Sequence, residues 1–269
     1  MTNTVGYYNR NAARYVADTA EADLSALRER FLADIPAGGF ILDAGCGSGR
    51  DSLAFLRRGY RVRAFDAAAE VARIASERIG HPVQVQRFEE LDERAAYDGI
   101  WACASLLHLP TAELPNALQR LWAALKPDGV LYLSLKHGDG ERIDAEGRHF
   151  TDATEARLRD WLTALHEIAA INCWLTRDER PDRAETWLNA LVRRQAVPAA
   201  RLVTGAPDNP FLPQLCDAIA HADEIDFAVS FVKVTGLRML LPDLHATLSR
   251  TEEPDRPPCV STCSHTASV

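Results

Sequence analysis

The sequence has no window approaching ~20 consecutive apolar residues, the length a helix needs to cross a bilayer, so no membrane span is expected. Its opening, MTNTVGYYNRNAARY, lacks the apolar core of a secretion signal. A basic excess is missing too. The net charge is −8, and residues 201–269 hold five Lys or Arg against nine Asp or Glu. No portion looks like the cationic surface a phosphate backbone needs, which argues against a nucleic-acid substrate. Cysteine is sparse: six are scattered, without a disulfide framework. A reduced, cytoplasmic compartment is the simple reading. What is present is ordinary globular composition, 47% hydrophobic and 25% charged over 269 residues, enough for one α/β domain plus a fragment.

The most informative run is ILDAGCGSGRDSL, residues 41–53. A short apolar strand meets Asp43 and then glycines at alternate positions, Gly45, Gly47 and Gly49. Glycines there allow a tight turn and let a ligand lie against the main chain, although such a turn can also serve packing alone. A nicotinamide-cofactor loop would carry G-x-G-x-x-G, to seat a pyrophosphate on the helix N-terminus. The spacing here is G-x-G-x-G, two residues after a carboxylate. That suits a cationic ligand with an amino-acid moiety and no phosphate, as in S-adenosylmethionine. A helix then ends at Gly59, and YRVRAFD reads as a second strand ending in Asp66. Asp66 lies near the ~20-residue offset at which a strand-end carboxylate grips a ribose.

Further along, residues 7–35 read as helical, with Leu24, Leu27, Phe31 and Leu32 in one stripe. Residues 68–79 form a helix closed by Gly80, 83–85 a third strand and 100–103 a fourth. Residues 111–125 read as a helix capped by Thr111, the KPDG of 126–129 as a turn, and 130–135 as a fifth strand. The polar stretch HGDGERIDAEGRHF reads as a loop or lid, and 151–165 as a helix capped by Thr151 or Asp152. Two late strands, 168–175 and 186–192, flank a charged hairpin. Alternating strands and helices imply a parallel sheet covered on both faces.

DAGCGSGRDSLAFLRRGYRVRAFD resembles the class I S-adenosylmethionine-dependent methyltransferases, in particular the tellurite-resistance-type small-molecule group. The resemblance implies an α/β, Rossmann-like doubly wound seven-stranded sheet with the last strand antiparallel. It implies S-adenosylmethionine as cofactor, a small molecule or oxyanion as methyl acceptor, and no metal. By the same resemblance Gly45, Cys46, Gly47 and Gly49 lie under the methionine and ribose portions, and Asp43 organises the loop and the ammonium group. Asp66 accepts from the ribose hydroxyls, with Ala67 beside the adenine. Arg50 and Asp51 line the methionine end or cap the helix, and Tyr15, with Tyr7 and Tyr8, either folds over the cofactor or packs on the sheet. Glu89 is either near the adenine amino group or an ordinary solvated glutamate. After the fourth strand, Ala104, Ser105 and Leu106 border the transferred methyl group. His108 is the candidate catalytic residue, as a general base or as a histidine that merely packs. Arg148 and Phe150 are candidates for acceptor contact.

The domain reading places the methyltransferase domain at 1–196 and a linker at 197–206. Residues 207–250 resemble the opening of the phospholipase D-like nuclease domains often fused to helicases, which raises association with a nuclease-helicase partner. The His-x-Lys signature is absent after His221, His245 and His265, so no nuclease activity is assigned. Residues 251–269 read as a disordered tail. The competing function is a cofactor-binding regulatory module without methyl transfer of its own. A nucleic-acid methyltransferase would want Asn/Asp-Pro-Pro-aromatic where this chain has Ala104-Ser105-Leu106-Leu107-His108.

Overall fold

The computed structural model describes residues 4–178 and 185–196. The linker, nuclease-like and tail expectations at 197–269 lie outside the described residues. Three short helices, α1 (Thr4–Arg10), α2 (Ala12–Thr19) and α3 (Ser25–Leu32), replace the single helical stretch expected over 7–35. Strands and helices then alternate: β1 (Phe40–Ala44), α4 (Arg50–Arg57), β2 (Arg61–Asp66), α5 (Ala69–Ile79), β3 (Val83–Val85) and β4 (Tyr97–Ala102). After them come α6 (Leu114–Ala124), β5 (Leu125–Lys136), the hairpin β6 (Gly140–Ile143) and β7 (His149–Asp152), α7 (Glu155–Leu162), β8 (Ile168–Arg177) and β9 (Thr186–Arg194).

Seven strands form one sheet in the order β3-β2-β1-β4-β5-β9-β8. β9 runs antiparallel to both β5 and β8, and the pairings among β1 to β5 are parallel. The expected sheet is therefore the one found. Strand alternation sorts the core into two layers. Ile41, Trp101, Val130 and Tyr132 pack with Phe31 of α3 and Phe55 of α4. Leu42, Ile100, Leu131 and Leu133 pack with Leu118 and Leu121 of α6 and Leu158 and Trp161 of α7. Val71, Ala72, Ala75 and Ile79 make the buried face of α5, which ends at Gly80 in the left-handed region (φ +68°).

Four local expectations are corrected. α6 begins at Leu114 with Glu113 at its cap, because the Thr111 hydroxyl and amide are drawn instead to Glu141, at 2.6 and 3.2 Å. The KPDG segment belongs to β5, where the register with β4 shifts and Asp128 takes φ +63°. Lys126 donates to Asp98 at 2.8 Å, holding this bulge to β4. The loop over the strand ends is the β6–β7 hairpin, fastened by an Arg142–Asp152 ion pair. α7 is capped by Thr154, whose hydroxyl accepts from the Arg157 amide at 3.3 Å, while Thr151 and Asp152 belong to β7.

Candidate active site

The turn after β1 is braced by backbone. The Gly45 and Cys46 amides both donate to the Phe65 carbonyl at 2.9 Å, locking the turn to β2. Gly45, Gly47 and Gly49 all take positive φ (+76°, +54° and +69°), so all three positions demand glycine. What lies against each differs. A Cβ at Gly45 would stand 2.5 Å from the Ser105 Cβ, and one at Gly49 would stand 2.8 Å from Ile79 Cγ2. Those two glycines serve packing. The atoms nearest a Cβ at Gly47 all belong to Tyr15, its hydroxyl 2.5 Å away. Gly47 thus makes room for an aromatic from α2, which lies directly on it.

Two carboxylates flank this turn. Asp43 is buried at the end of β1, where its Oδ2 accepts from the Ser52 hydroxyl at 2.6 Å. Burial, with the neighbouring Asp51 charge second, pushes its carboxyl up to about 7. Asp66 receives the Gly47 amide (3.0 Å) on one oxygen and the Ala68 amide (2.9 Å) on the other. It is raised by burial and held back by those two amides. Asp51, in the first turn of α4, takes Arg50 at 2.7 Å, Arg28 at 2.7 Å and the Trp101 indole N–H at 3.1 Å. Despite burial its carboxyl lies below the usual range, because two guanidinium groups hold it ionised.

Beyond β4, Ala104 adopts φ +50° and its amide donates to the Ser134 hydroxyl at 2.9 Å. Ser105 is buried, its hydroxyl donating to the Ala44 carbonyl at 2.7 Å. Leu106 sits in the main core, and it is Leu107 that reaches the cavity. His108 has both ring nitrogens engaged. Nδ1 lies 2.8 Å from the His149 carbonyl, which can only accept, so Nδ1 carries the hydrogen. Nε2 therefore accepts from the Tyr8 hydroxyl, also at 2.8 Å. Burial pushes the imidazole down to about 4, leaving it neutral at physiological pH. Burial likewise pushes the Tyr8 phenol up to about 12.

A cavity of about 650 Å³ joins these groups. Tyr8, Tyr15, Asp43, Gly45, Cys46, Arg50, Ala104 and His108 lie on its wall. Asp66, Ala67, Gly47, Gly49, Ser105, Leu106 and Glu89 do not; Tyr15 lies against Gly47, whose amide donates to Asp66. Glu89 is exposed on the 3-10 turn Phe88–Glu90, 3.6 Å from Arg87.

The opposite wall holds residues that sequence reasoning missed: Tyr132, Ser134, Lys136, Trp187 and Asn189. Tyr132 stacks on Trp101 at 3.9 Å and donates to Asn189 Oδ1 at 2.7 Å. Lys136 pairs with Glu185 at 2.9 Å and lies 4.9 Å from the Phe150 ring. Arg148 stacks 4.5 Å over Tyr7 and pairs with Asp144 and Glu146. The available signal was the period-two spacing of Tyr132, Ser134 and Lys136 toward the C-terminal end of a parallel strand, where such sheets place ligands. Among the described residues, no cluster of His, Cys, Asp or Glu is arranged to hold a metal ion.

Comparison with known proteins bears on this site. Residues 41–129 match the family model described as a methyltransferase domain. The ubiquinone biosynthesis O-methyltransferase of Xanthomonas axonopodis pv. citri is 39% identical over 107 residues, covering 37% of this chain and 44% of that one. The chain spans less than half the length of the curated relatives it matches. Among solved structures, the 1,6-didemethyltoxoflavin-N1-methyltransferase of Burkholderia thailandensis is similar. It was solved with 1,6-didemethyltoxoflavin and S-adenosylhomocysteine, and is 27% identical with a TM-score of 0.59, covering 71% of this chain and 87% of that one. A methyltransferase from Methanosarcina mazei shares the fold at 20% identity and a TM-score of 0.55, covering 65% of this chain and all of that one.

Proposed function

We propose, for a chain whose fold is that of the class I S-adenosylmethionine-dependent methyltransferases, that it transfers a methyl group from S-adenosylmethionine to a small molecule held in the cavity. The observation that carries this reading is the braced glycine turn beside a side-chain-lined cavity, with the buried Asp43 carboxylate on the cavity wall and a second carboxylate, Asp66, accepting from an amide of the turn. The residues fit the cofactor. Asp43 offers a buried carboxylate on the cavity wall for an ammonium group, and Asp66 and Gly47 would hold the ribose once Tyr15 lifts from Gly47.

The cofactor supplies an electrophilic methyl group on a sulfonium, so the protein's task is mainly alignment. Tyr7, Phe150 and Trp187 give the cavity aromatic lining that suits a planar acceptor. Relatives whose names carry ubiquinone biosynthesis and didemethyltoxoflavin support a small-molecule acceptor. The only lone pair on His108 Nε2 is taken by the Tyr8 hydroxyl. A proton leaving an acceptor hydroxyl or ring nitrogen is therefore relayed: Tyr8 takes it while giving its own to Nε2. The tellurite-type oxyanion acceptor needs no such relay.

Titration calorimetry tests the cofactor reading. S-adenosylhomocysteine should bind and NAD should not. Asp66→Ala should cost at least ~1.5 kcal/mol of that binding, about tenfold. NAD binding without S-adenosylhomocysteine binding would overturn the assignment. Isotopically labelled cofactor offered with pooled metabolites and oxyanions then identifies the acceptor. Binding with no labelled product from any pool would favour a regulatory module.

A further inference from the structure

A second cavity, of about 290 Å³, adjoins the first and shares Glu21, Ala22, Asp23 and Arg50 with it. Four arginines line it: Arg28, Arg50, Arg57 and Arg78. Two of them strap the loop between α2 and α3 to the domain. Arg50 Nη1 donates to the Thr19 carbonyl and Arg78 Nη2 to the Ala20 carbonyl, each at 3.2 Å. Strapping uses one donor from each guanidinium and leaves a surplus. Arg28 Nε and Arg78 Nη1 are buried without a hydrogen-bond partner, two of the four such side-chain atoms among the described residues. Arg57, exposed in the last turn of α4, makes no ion pair among the described residues.

The facing carboxylates do not cancel this charge. Glu21 is 92% exposed and 3.4 Å from Arg78; Asp23 is 71% exposed and 3.9 Å from Arg28. Asp51 is committed to Arg28 and Arg50. Convergent guanidinium donors match the oxygens of a phosphate, which accepts several charge-assisted hydrogen bonds at once.

We propose that this cavity is an effector site for a small phosphate-bearing anion, distinct from the methyl-transfer cavity. An anion held by Arg57 on α4 and Arg78 on α5 ties the α2–α3 loop to both helices. α2 carries Tyr15, which lies on Gly47, so holding this loop alters how readily Tyr15 lifts, and anion and cofactor change each other's binding by an equal factor. This coupling rests on the cofactor reading above; the anion site itself does not.

The test follows the melting temperature of the full chain in inorganic phosphate, against sodium chloride of matched ionic strength, and then in glycerol 3-phosphate. A saturable rise is expected, lost in the Arg57→Gln/Arg78→Gln variant. Phosphate also stabilises proteins generally by exclusion from their surfaces, but that effect does not saturate and would persist in the variant. Should the double variant fail to fold, Arg57→Gln alone should melt like wild type in chloride yet bind phosphate at least threefold more weakly. Saturating phosphate should change S-adenosylhomocysteine affinity at least threefold. A response to glycerol 3-phosphate at lower concentration than to phosphate assigns the site to phosphomonoesters, and the reverse to free phosphate. A rise matching chloride's, or one unchanged in the variants, overturns the site. Saturable phosphate binding with no change in S-adenosylhomocysteine affinity overturns the effector role. Absent S-adenosylhomocysteine binding with a saturable phosphate response sinks the cofactor reading alone.

Discussion

At the glycine turn the contacts are made by main chain, with amides of Gly45, Cys46, Gly47 and Ala68 on the Phe65 carbonyl and the Asp66 carboxylate. Across the cavity, the wall is made by side chains from α1, β5, the β6–β7 hairpin and β9, held to one another by ion pairs and ring contacts. Backbone bracing fixes one geometry and tolerates little change. A side-chain wall can be redrawn residue by residue without moving the sheet beneath it. One fold can thus keep a constant cofactor end and vary its acceptor.

The largest expected effect probes the rigid end. Asp51→Ala leaves the Arg28 and Arg50 guanidiniums buried without their shared carboxylate, and should cost ~3–5 kcal/mol of stability in urea titration. A loss under ~1 kcal/mol would mean that the Arg28–Asp51–Arg50 pairing contributes little to the fold. Next is the border between the two ends. His108→Ala should lower turnover ~10²-fold with S-adenosylhomocysteine affinity nearly unchanged. With the imidazole pushed down to about 4, the wild-type rate should show no imidazole step between pH 5 and 8. A rate rising through pH 6.5 would show a free histidine acting directly, and unchanged turnover in the variant would remove His108 from the mechanism.

Asp43 gives a smaller effect with a definite sign. Its carboxyl is raised to about 7, so it is largely protonated below that pH and cannot hold an ammonium group. S-adenosylhomocysteine affinity should therefore fall by up to ~10-fold per pH unit on acidification below pH 7. The unliganded protein should respond oppositely. A folded-state value above the unfolded one contributes stability at acid pH that is lost as pH rises through about 7. Asp43→Asn should consequently melt higher than wild type at pH 8 while binding the ligand poorly. Equal ligand affinity at pH 5.5 and 8 would place the ammonium elsewhere. The smallest effect belongs to Glu89→Ala, where less than a twofold change in S-adenosylhomocysteine affinity is expected from an exposed side chain beside Arg87.

Most of the sheet was legible because its determinants are local: short apolar runs, helices ending at Gly59 and Gly80, and a glycine turn between Asp43 and Asp66. The cavity wall was not. Asn189 and Trp187 reach it only because β9 pairs Asn189 with Ser134 and Trp187 with Lys136, a register that no local pattern reveals. The β6–β7 hairpin escaped notice because its four-residue strands are polar, their pairing secured by Arg142 and Asp152 rather than by an apolar face. Thr111 read as a cap because its competition with Glu141, thirty residues on, is invisible in sequence. Leu106 and Leu107 are adjacent apolar residues, and only the turn geometry after Ala104 decides which one faces the cavity.

The position of β9 has a consequence for how the chain is made. Tyr132 and its partner Asn189 are 57 residues apart, and β9 enters between β5 and β8, which precede it in the chain. A nascent chain that has emerged only through Lys136 presents β5 as an open edge with unpaired amides and carbonyls. The sheet cannot close, nor the cavity gain its floor, until Arg194 has cleared the ribosome. Translation that stalls between those points leaves a sticky, half-built sheet, so this wall of the cavity is the last part of the domain to mature and the first to be lost in a truncated product.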